Sequence, residues 1–379
     1  PYRVVLRSVR DRLKITRRRM EALVEGRPVP EGEGFTEGRQ LLDELLLLDR
    51  SLRAVGLGAI ADGELKDTLR RLNCFGITLL CLDIRQESTR HTAAFSRSDL
   101  CDGAVREVLE TCQVIAEQGP EGLGAYVISM AKTSSDVLAV MLLQKIAGVR
   151  RPMRVVPLFE TLDDLNNAGD TMAALLDIPL YKQRVIDGQE VMIGYSDSAK
   201  DAGFLGAAWA QFRAQETLTK TFQQHGVPLT LFHGRGGSIS RGGSPTRMAL
   251  LSQPPGSVAG RIRVTEQGEV IRFKYGRPSV AVYNLEQYVA ATLEATLVPP
   301  REPDAEWRAQ MQKLTDVSVA GYRQVVREDP ALVSYLRTVT PETELSRLAL
   351  GSRPARRKTG GGIESLRAIP WVFAWTQIR

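Results

Sequence analysis

The sequence predicts an α/β protein, a (β/α)8 TIM-like barrel with many additional helices. Three observations predict it. From residue 73 onward short apolar runs alternate with helical stretches, the pattern of parallel strands joined by helical crossovers. Each apolar run ends in polar, charged or glycine residues, and the C-terminal ends of barrel strands are where catalytic groups gather. No G-x-G-x-x-G follows the first run, which ranks an open doubly wound sheet lower.

Taken in chain order, residues 1–72 read as a helical flank. Apolar and charged residues recur at helical spacing through Val4–Leu23 and Leu41–Leu57, with a polar break containing Gly and Pro at Arg27–Glu37. Residues 73–379 then read as part of a single barrel-based catalytic domain. Its apolar runs are Ile77–Ile84, Ala125–Met130, Val155–Phe159, Val191–Tyr195 and Leu229–Phe232. Asp136–Gly148 and Lys200–His225 lie between them as helices; the second spaces Phe204, Ala208 and Phe212 by four. Five such units do not close eight strands. Arg263–Thr265 and Val270–Phe273, flanking Gln267-Gly268, are the expected source of more.

Composition excludes several classes. With 43% hydrophobic and 25% charged residues the chain is ordinary for a globular protein. No apolar run approaches the roughly 20 residues that cross a bilayer, and Leu45–Leu48 meets Asp49 and Arg50 at once. No membrane partner is therefore expected. No signal-peptide pattern opens the sequence, and its start at Pro1 leads to the expectation of a processed chain or a fragment. Cys74, Cys81, Cys101 and Cys112 form no C-x-x-C pair and only three histidines are present, so free thiols in a reducing cytoplasm are expected rather than a zinc site. The net charge of +6 admits a nucleic-acid reading. The arginines of interest, however, sit among glycines and acids rather than interleaved aromatics, which suits a small anion and predicts no nucleic-acid partner.

Glu160 and Asp197 each stand at the end of a strand-like run. Two carboxylates with no His or Cys beside them suit a hard cation, Mg2+ or Mn2+, that keeps waters and takes substrate oxygens. Asp197 also precedes Lys200–His225 and could cap that helix, so both readings stand at this point. The stretch His233-Gly-Arg-Gly-Gly-Ser-Ile-Ser-Arg241-Gly-Gly243 can expose backbone N–H groups and guanidinium forks, and anion binding is favoured over a solvated loop. Arg85 also ends a strand; an ion pair with Asp83 or Glu87 is its alternative. Arg353 and Arg367 flank Thr359-Gly-Gly-Gly362, where a basic linker is the plainer reading. Lys200 and Lys274 carry no independent signal, and Trp371–Trp375 reads as core.

Long strings at these positions resemble the phosphoenolpyruvate carboxylase family. They are Leu-Asp-Ile-Arg-Gln-Glu-Ser at 82–88, Tyr-Val-Ile-Ser-Met-Ala at 126–131 and Pro-Leu-Phe-Glu-Thr-Leu-Asp-Asp-Leu at 157–165. Ile-Gly-Tyr-Ser-Asp-Ser-Ala-Lys-Asp-Ala-Gly follows at 193–203 and Phe-His-Gly-Arg-Gly-Gly-Ser at 232–238. Leu-Leu-Ser-Gln-Pro-Pro-Gly at 250–256, Arg-Phe-Lys-Tyr-Gly at 272–276 and Glu-Ser-Leu-Arg-Ala-Ile-Pro-Trp at 364–371 complete the set. The resemblance implies a cytoplasmic, allosteric homotetramer that joins bicarbonate to phosphoenolpyruvate, giving oxaloacetate and phosphate through carboxyphosphate and enolpyruvate. It implies that Glu160 and Asp197 hold the metal and that Arg85, Arg235 and Arg367 hold the substrate phosphate. Arg241 would position bicarbonate or carboxyphosphate, with His233, Lys200 and Arg353 at further catalytic positions. Leu158 and Met192 would line a dry pocket for the enolate.

Departures accompany the resemblance. The family carries an essential histidine in an upstream motif near V-L-T-A-H-P, which this sequence does not contain. The family continues beyond the position of Arg379, and His91 to Val105 is a few dozen residues shorter than expected. Ser240 stands where the family usually has Gly. The expectation is a chain inactive alone; the alternative is a non-catalytic remnant that retains the metal and phosphoenolpyruvate sites.

Overall fold

The computed structural model describes residues 2–96, 103–118, 120–236, 243–345 and 368–377. The elements begin with helices α1 (Tyr2–Val24), α2 (Gly38–Ala54), α3 (Gly58–Ile60) and α4 (Lys66–Phe75). Then come β1 (Leu82–Glu87), α5 (Ser88–Ser96), α6 (Gly103–Glu117), β2 (Leu123–Ser129), α7 (Ser134–Ile146), β3 (Arg154–Phe159), α8 (Leu162–Leu176) and α9 (Pro179–Arg184). Next are β4 (Gln189–Gly194), α10 (Ser196–His225), β5 (Leu229–Gly234), α11 (Thr246–Leu251), β6 (Arg263–Val264), α12 (Gly268–Tyr275) and α13 (Pro278–Leu297). The last are α14 (Ala305–Arg323), α15 (Leu332–Val339), α16 (Glu342–Leu345) and α17 (Ala368–Trp375). The chain divides into two compact units, residues 1–84, 99–126 and 141–153 in the first, the remainder in the second; β1, β2 and α7 are shared between them.

The first unit is mainly helical, as the periodicity of residues 1–72 predicts. Leu41, Leu45 and Leu48 lie on one stripe of α2 and bury against Val9 of α1 and Leu69 of α4. Phe35 closes this core: Thr16 Oγ1 accepts from its N–H at 2.7 Å, and the Arg12 guanidinium lies 3.9 Å over its ring. Cys74 and Cys81 are exposed free thiols and Cys112 a buried one.

In the second unit the C-terminal halves of β1 and β2 join β3 to β6 in a six-stranded sheet ordered β1-β2-β3-β4-β5-β6, a parallel half-barrel. Leu158 pairs with Met192, Ile193 with His233, and His233 with Val264. The alternation of strand and helix is thus as predicted, and six strands occur among the described residues, two fewer than a closed eight-stranded barrel has. Strand β1 starts at Leu82, later than the apolar run suggests. Val270–Phe273, expected as a strand, belongs to α12 instead. Its apolar side chains Ile271 and Phe273 are exposed, so no sheet face claims them. Lys274, Tyr275 and Tyr288 converge on Glu266, and Lys274 and Tyr275 can reach that carboxylate only if the chain coils back.

Sequence reading found nothing at the strand starts. The structure puts an ion-pair latch there, in which Glu190 of β4 accepts from Arg154 of β3 at 2.6 Å and from Arg263 of β6 at 2.7 Å. At the opposite ends, helices begin where the strands stop. Thr161 opens α8 with a reciprocal capping box to Asp164. Helix α10 starts directly after β4 and kinks at Gly203, whose φ of +74° favours glycine and whose Cβ would meet the Tyr322 ring at 3.2 Å. Ala202, Gly206, Ala207 and Ala210 keep α10 slim, so that Val319 of α14 packs directly on Gly206. Trp371 and Trp375 sit in or against a core cluster with Leu332 and Leu336, as their sequence suggests.

Candidate functional site

The site is built at the ends of β1, β3, β4 and β5 in the second unit. Glu160 follows β3 directly and is 3% exposed. A carboxylate this buried needs partners; among them, Arg85 of β1 donates to Oε1 at 2.9 Å and the Met130 N–H donates to Oε2 at 2.9 Å. Met130 adopts a left-handed φ of 56°, a conformation uncommon outside glycine, just where its N–H turns toward this carboxylate.

The expected alternatives for Arg85 find other uses. Asp83 accepts from the Ala125 N–H at 2.8 Å and Glu87 accepts from Thr89 Oγ1 at 3.2 Å. Arg85 therefore joins the residue of a strand 75 positions away, which no local spacing in the sequence signals.

Glu160 leans over Gly194, the last residue of β4. A Cβ there would lie 3.0 Å from the Glu160 Cα and 3.1 Å from its Cγ. Asp197 sits three residues on, in the first turn of α10. That helix has Tyr195 at its N-cap position and no side-chain cap, so the capping reading of Asp197 gives way to a pairing with Lys200 at 3.4 Å. Lys200 is itself 8% exposed, and its carbonyl accepts from Tyr322 Oη at 2.8 Å. Ser198 Oγ donates to the Gly194 carbonyl at 2.8 Å and accepts from Gln211 Nε2 at 2.8 Å, locking the turn between β4 and α10.

His233 on β5 is buried, and its Nδ1 lies 2.8 Å from Tyr195 Oη. Burial, with the Arg235 charge acting in the same direction, pushes the imidazole down to about 3, so it is neutral at physiological pH. Burial pushes the Tyr195 hydroxyl up to about 12. Arg235 follows β5 and donates to Ser244 Oγ at 2.7 Å, while Thr265 Oγ1 and Gln267 Nε2 hold its carbonyl. Leu158 and Met192 are buried neighbours in register on β3 and β4.

The structure thus places Arg85 and His233 within β1 and β5, Glu160 and Arg235 directly after β3 and β5, and Asp197 and Lys200 in the first turns of α10 after β4. Arg241, Arg353 and Arg367, with most of the loop 237–242, lie outside the described residues. Two residues went unassigned from sequence. Tyr195 holds His233. Asp201 accepts from the Leu162 N–H at 2.9 Å and from Arg323 at 3.1 Å, and pairs with Arg327, tying the start of α8 to the first turns of α10. Both lie inside the string 193–203; neither announces its partner locally.

No cluster of three or more His, Cys, Asp or Glu suited to a metal occurs among the described residues. Two carboxylates fit a magnesium- or manganese-type ion nonetheless, because such ions are held by one or two protein carboxylates and take their other oxygens from water and substrate. Carboxylates, a buried lysine and two arginines thus gather on the C-terminal side of a parallel sheet, the side where α/β enzymes carry their active sites.

Comparison with known proteins agrees. The phosphoenolpyruvate carboxylase family model matches residues 1–99 and 96–379. The chain is 71% identical to the phosphoenolpyruvate carboxylase of Alcanivorax borkumensis over 418 residues, covering 100% of this chain and 47% of that protein. The enzymes of Acinetobacter baylyi and Pseudomonas aeruginosa are 56% and 54% identical over 421 and 415 residues, with the same coverage. The chain belongs to the phosphoenolpyruvate carboxylase family. It spans about half the length of these curated relatives. The two family segments meet between His91 and Val105, the stretch the resemblance marks as short.

Proposed function

We propose that this chain carries the phosphate- and metal-binding portion of a cytoplasmic phosphoenolpyruvate carboxylase, whose substrates are phosphoenolpyruvate and bicarbonate. The observation that supports the reading is the 2.9 Å contact between Arg85 and the buried Glu160, which joins two residues 75 positions apart in the chain. In the complete protein the half-barrel gains its remaining strands, and the assembly is a homotetramer responsive to allosteric effectors.

In this reading Glu160 and Asp197 hold one divalent cation. When bound, the ion supplies positive charge beside the enolate oxygen. Arg85 and Arg235, with Arg367, bind the phosphoryl group, whose migrating charge requires fixed cations around it. Bicarbonate attacks that phosphorus, giving carboxyphosphate and the enolate of pyruvate. Arg241 positions the carboxyphosphate, whose C–O bond to the phosphorus-bound oxygen breaks, the phosphate leaving with the carboxyl proton, and the carbon dioxide so released is captured by the enolate carbon, giving oxaloacetate. Leu158 and Met192 keep water from protonating the enolate. Neutral His233 offers a buried hydrogen-bonding edge, while Lys200 and Arg353 add positive charge.

The test is manganese binding by calorimetry or electron spin resonance. Glu160→Gln and Asp197→Asn should each abolish it while circular dichroism stays unchanged. Undiminished manganese affinity in both variants sinks the assignment.

A further inference from the structure

A cavity of about 550 Å3 opens in the second unit beside α10, α11 and α14. Its size is that of a small-molecule pocket. Part of its wall is aromatic, supplied by Phe204 and Trp209 of α10 and Trp307 of α14, with Met311 adding a thioether. Phe204 is 57% exposed and Trp307 55%, so an occupant can reach both rings.

Another part of the wall is cationic. Arg235, which follows β5, lines the cavity together with Ser244, whose Oγ accepts from its guanidinium at 2.7 Å. A guanidinium stays charged at physiological pH and presents a planar fork suited to phosphate or carboxylate. Among the described residues no Asp or Glu lines the cavity. The second lining arginine, Arg308, has its charge matched behind the wall by Glu216 at 2.6 and 2.7 Å. Other polar groups of the wall bond to the protein itself: Trp209 Nε1 donates to Gln312, Gln211 Nε2 to Ser198, and Ser252 Oγ to the Ala249 carbonyl.

We propose that this cavity binds small organic anions with an aromatic body, the anionic group meeting Arg235 and the body lying against Phe204 and Trp307. A phosphate or carboxylate gains a charge-assisted bond at the guanidinium, and the body gains by leaving water for the aromatic wall. Such an occupant excludes the substrate phosphate from Arg235, a consequence that rests on the role of Arg235 proposed above.

The probe is 1-naphthyl phosphate, with methyl phosphate as the head without the body and 1-naphthol as the body without the charge. Calorimetric titration of the 379-residue chain should give saturable one-to-one binding of 1-naphthyl phosphate, with each control at least about tenfold weaker. Phe204→Ala and Trp307→Ala should each weaken 1-naphthyl phosphate by about fivefold or more without affecting methyl phosphate. Both side chains are exposed, so the fold should survive, and circular dichroism checks it. Arg235→Ser should erase the advantage of 1-naphthyl phosphate over 1-naphthol. Equal affinities for the two phosphates overturn the proposal, as does 1-naphthyl phosphate binding that is undiminished in both aromatic variants or in Arg235→Ser. Loss of 1-naphthyl phosphate binding in Arg235→Ser with phosphoenolpyruvate binding intact upholds the cavity site and overturns only the substrate role of Arg235. Binding by the 379-residue chain that a longer protein containing it lacks means that another protein segment fills the cavity, and the proposal falls.

Discussion

Single side chains at this site act through burial. His233 is held neutral because charging it inside the sheet would cost its hydration without a carboxylate to compensate. Its folded-state value, about 3, lies below the ordinary 6.5, so between those pH values the unfolded chain binds a proton that the folded chain does not. Stability from this group is therefore intact above pH 6.5 and is lost as pH falls toward 3, at up to about 1.4 kcal/mol per pH unit. Buried His91, pushed down to about 4 by burial, adds a second loss of the same sign. Urea unfolding at pH 7 and pH 5 should show a smaller drop for His233→Gln than for the parent chain; an equal drop would mean that burial does not hold this imidazole neutral. The two loop arginines should divide their work. In the complete enzyme Arg235→Ser should weaken phosphoenolpyruvate binding by about 1.5–3 kcal/mol, the worth of a charge-assisted bond. Arg241→Ser should spare that binding and lower the yield of oxaloacetate relative to free pyruvate. Steady-state kinetics scoring both products checks this, and equal losses of affinity and rate in the two variants would refute the division.

Elements position these side chains by meeting closely at strand ends. Glycine at 194 lets the backbone of β4 pass under Glu160; Gly194→Ala sets a Cβ about 3 Å from the Phe159 carbonyl and the Glu160 Cα. Overpacking of this kind costs about 1–3 kcal/mol. The variant should melt earlier and bind manganese more weakly, and unchanged values for both would show that this approach is slack. Asp201 does the longer-range work. It anchors the first turns of α10, which carry Asp197 and Lys200, to α8, Arg323 and Arg327. Asp201→Asn should cost about 1–3 kcal/mol, less than a fully buried pair because Arg327 is half exposed and can turn to water. Chemical denaturation measures it, and a loss below about 0.5 kcal/mol would rule out the anchoring role.

At the scale of the whole molecule, the chain covers 47% of its relatives' length, and its described strands form a half-barrel. A catalytic pocket at strand ends needs walls from all around the barrel. The chain alone should therefore make no oxaloacetate in a malate-dehydrogenase-coupled assay. Near-normal turnover by the purified 379-residue chain would overturn this. Among the described residues no helix is long and apolar enough to cross a membrane.

The sequence by itself determined the α/β class, the order of strand and helix, and the positions of Glu160 and Arg235 just after strands. Periodicity and breakers are local, so they survive without coordinates. It misread Val270–Phe273, where alternation suggested a strand and contacts to Glu266 imposed a helix. It left open the partner of Arg85 and the role of Asp197, and it overlooked Tyr195, Asp201 and the Arg154–Glu190–Arg263 latch. Apart from the pairing of Asp197 with Lys200 three residues on, those depend on which residues meet across 36 to 126 positions of chain. Only packing of the sheet against its helices sets such meetings, because a buried charge takes whichever partner the fold brings within reach.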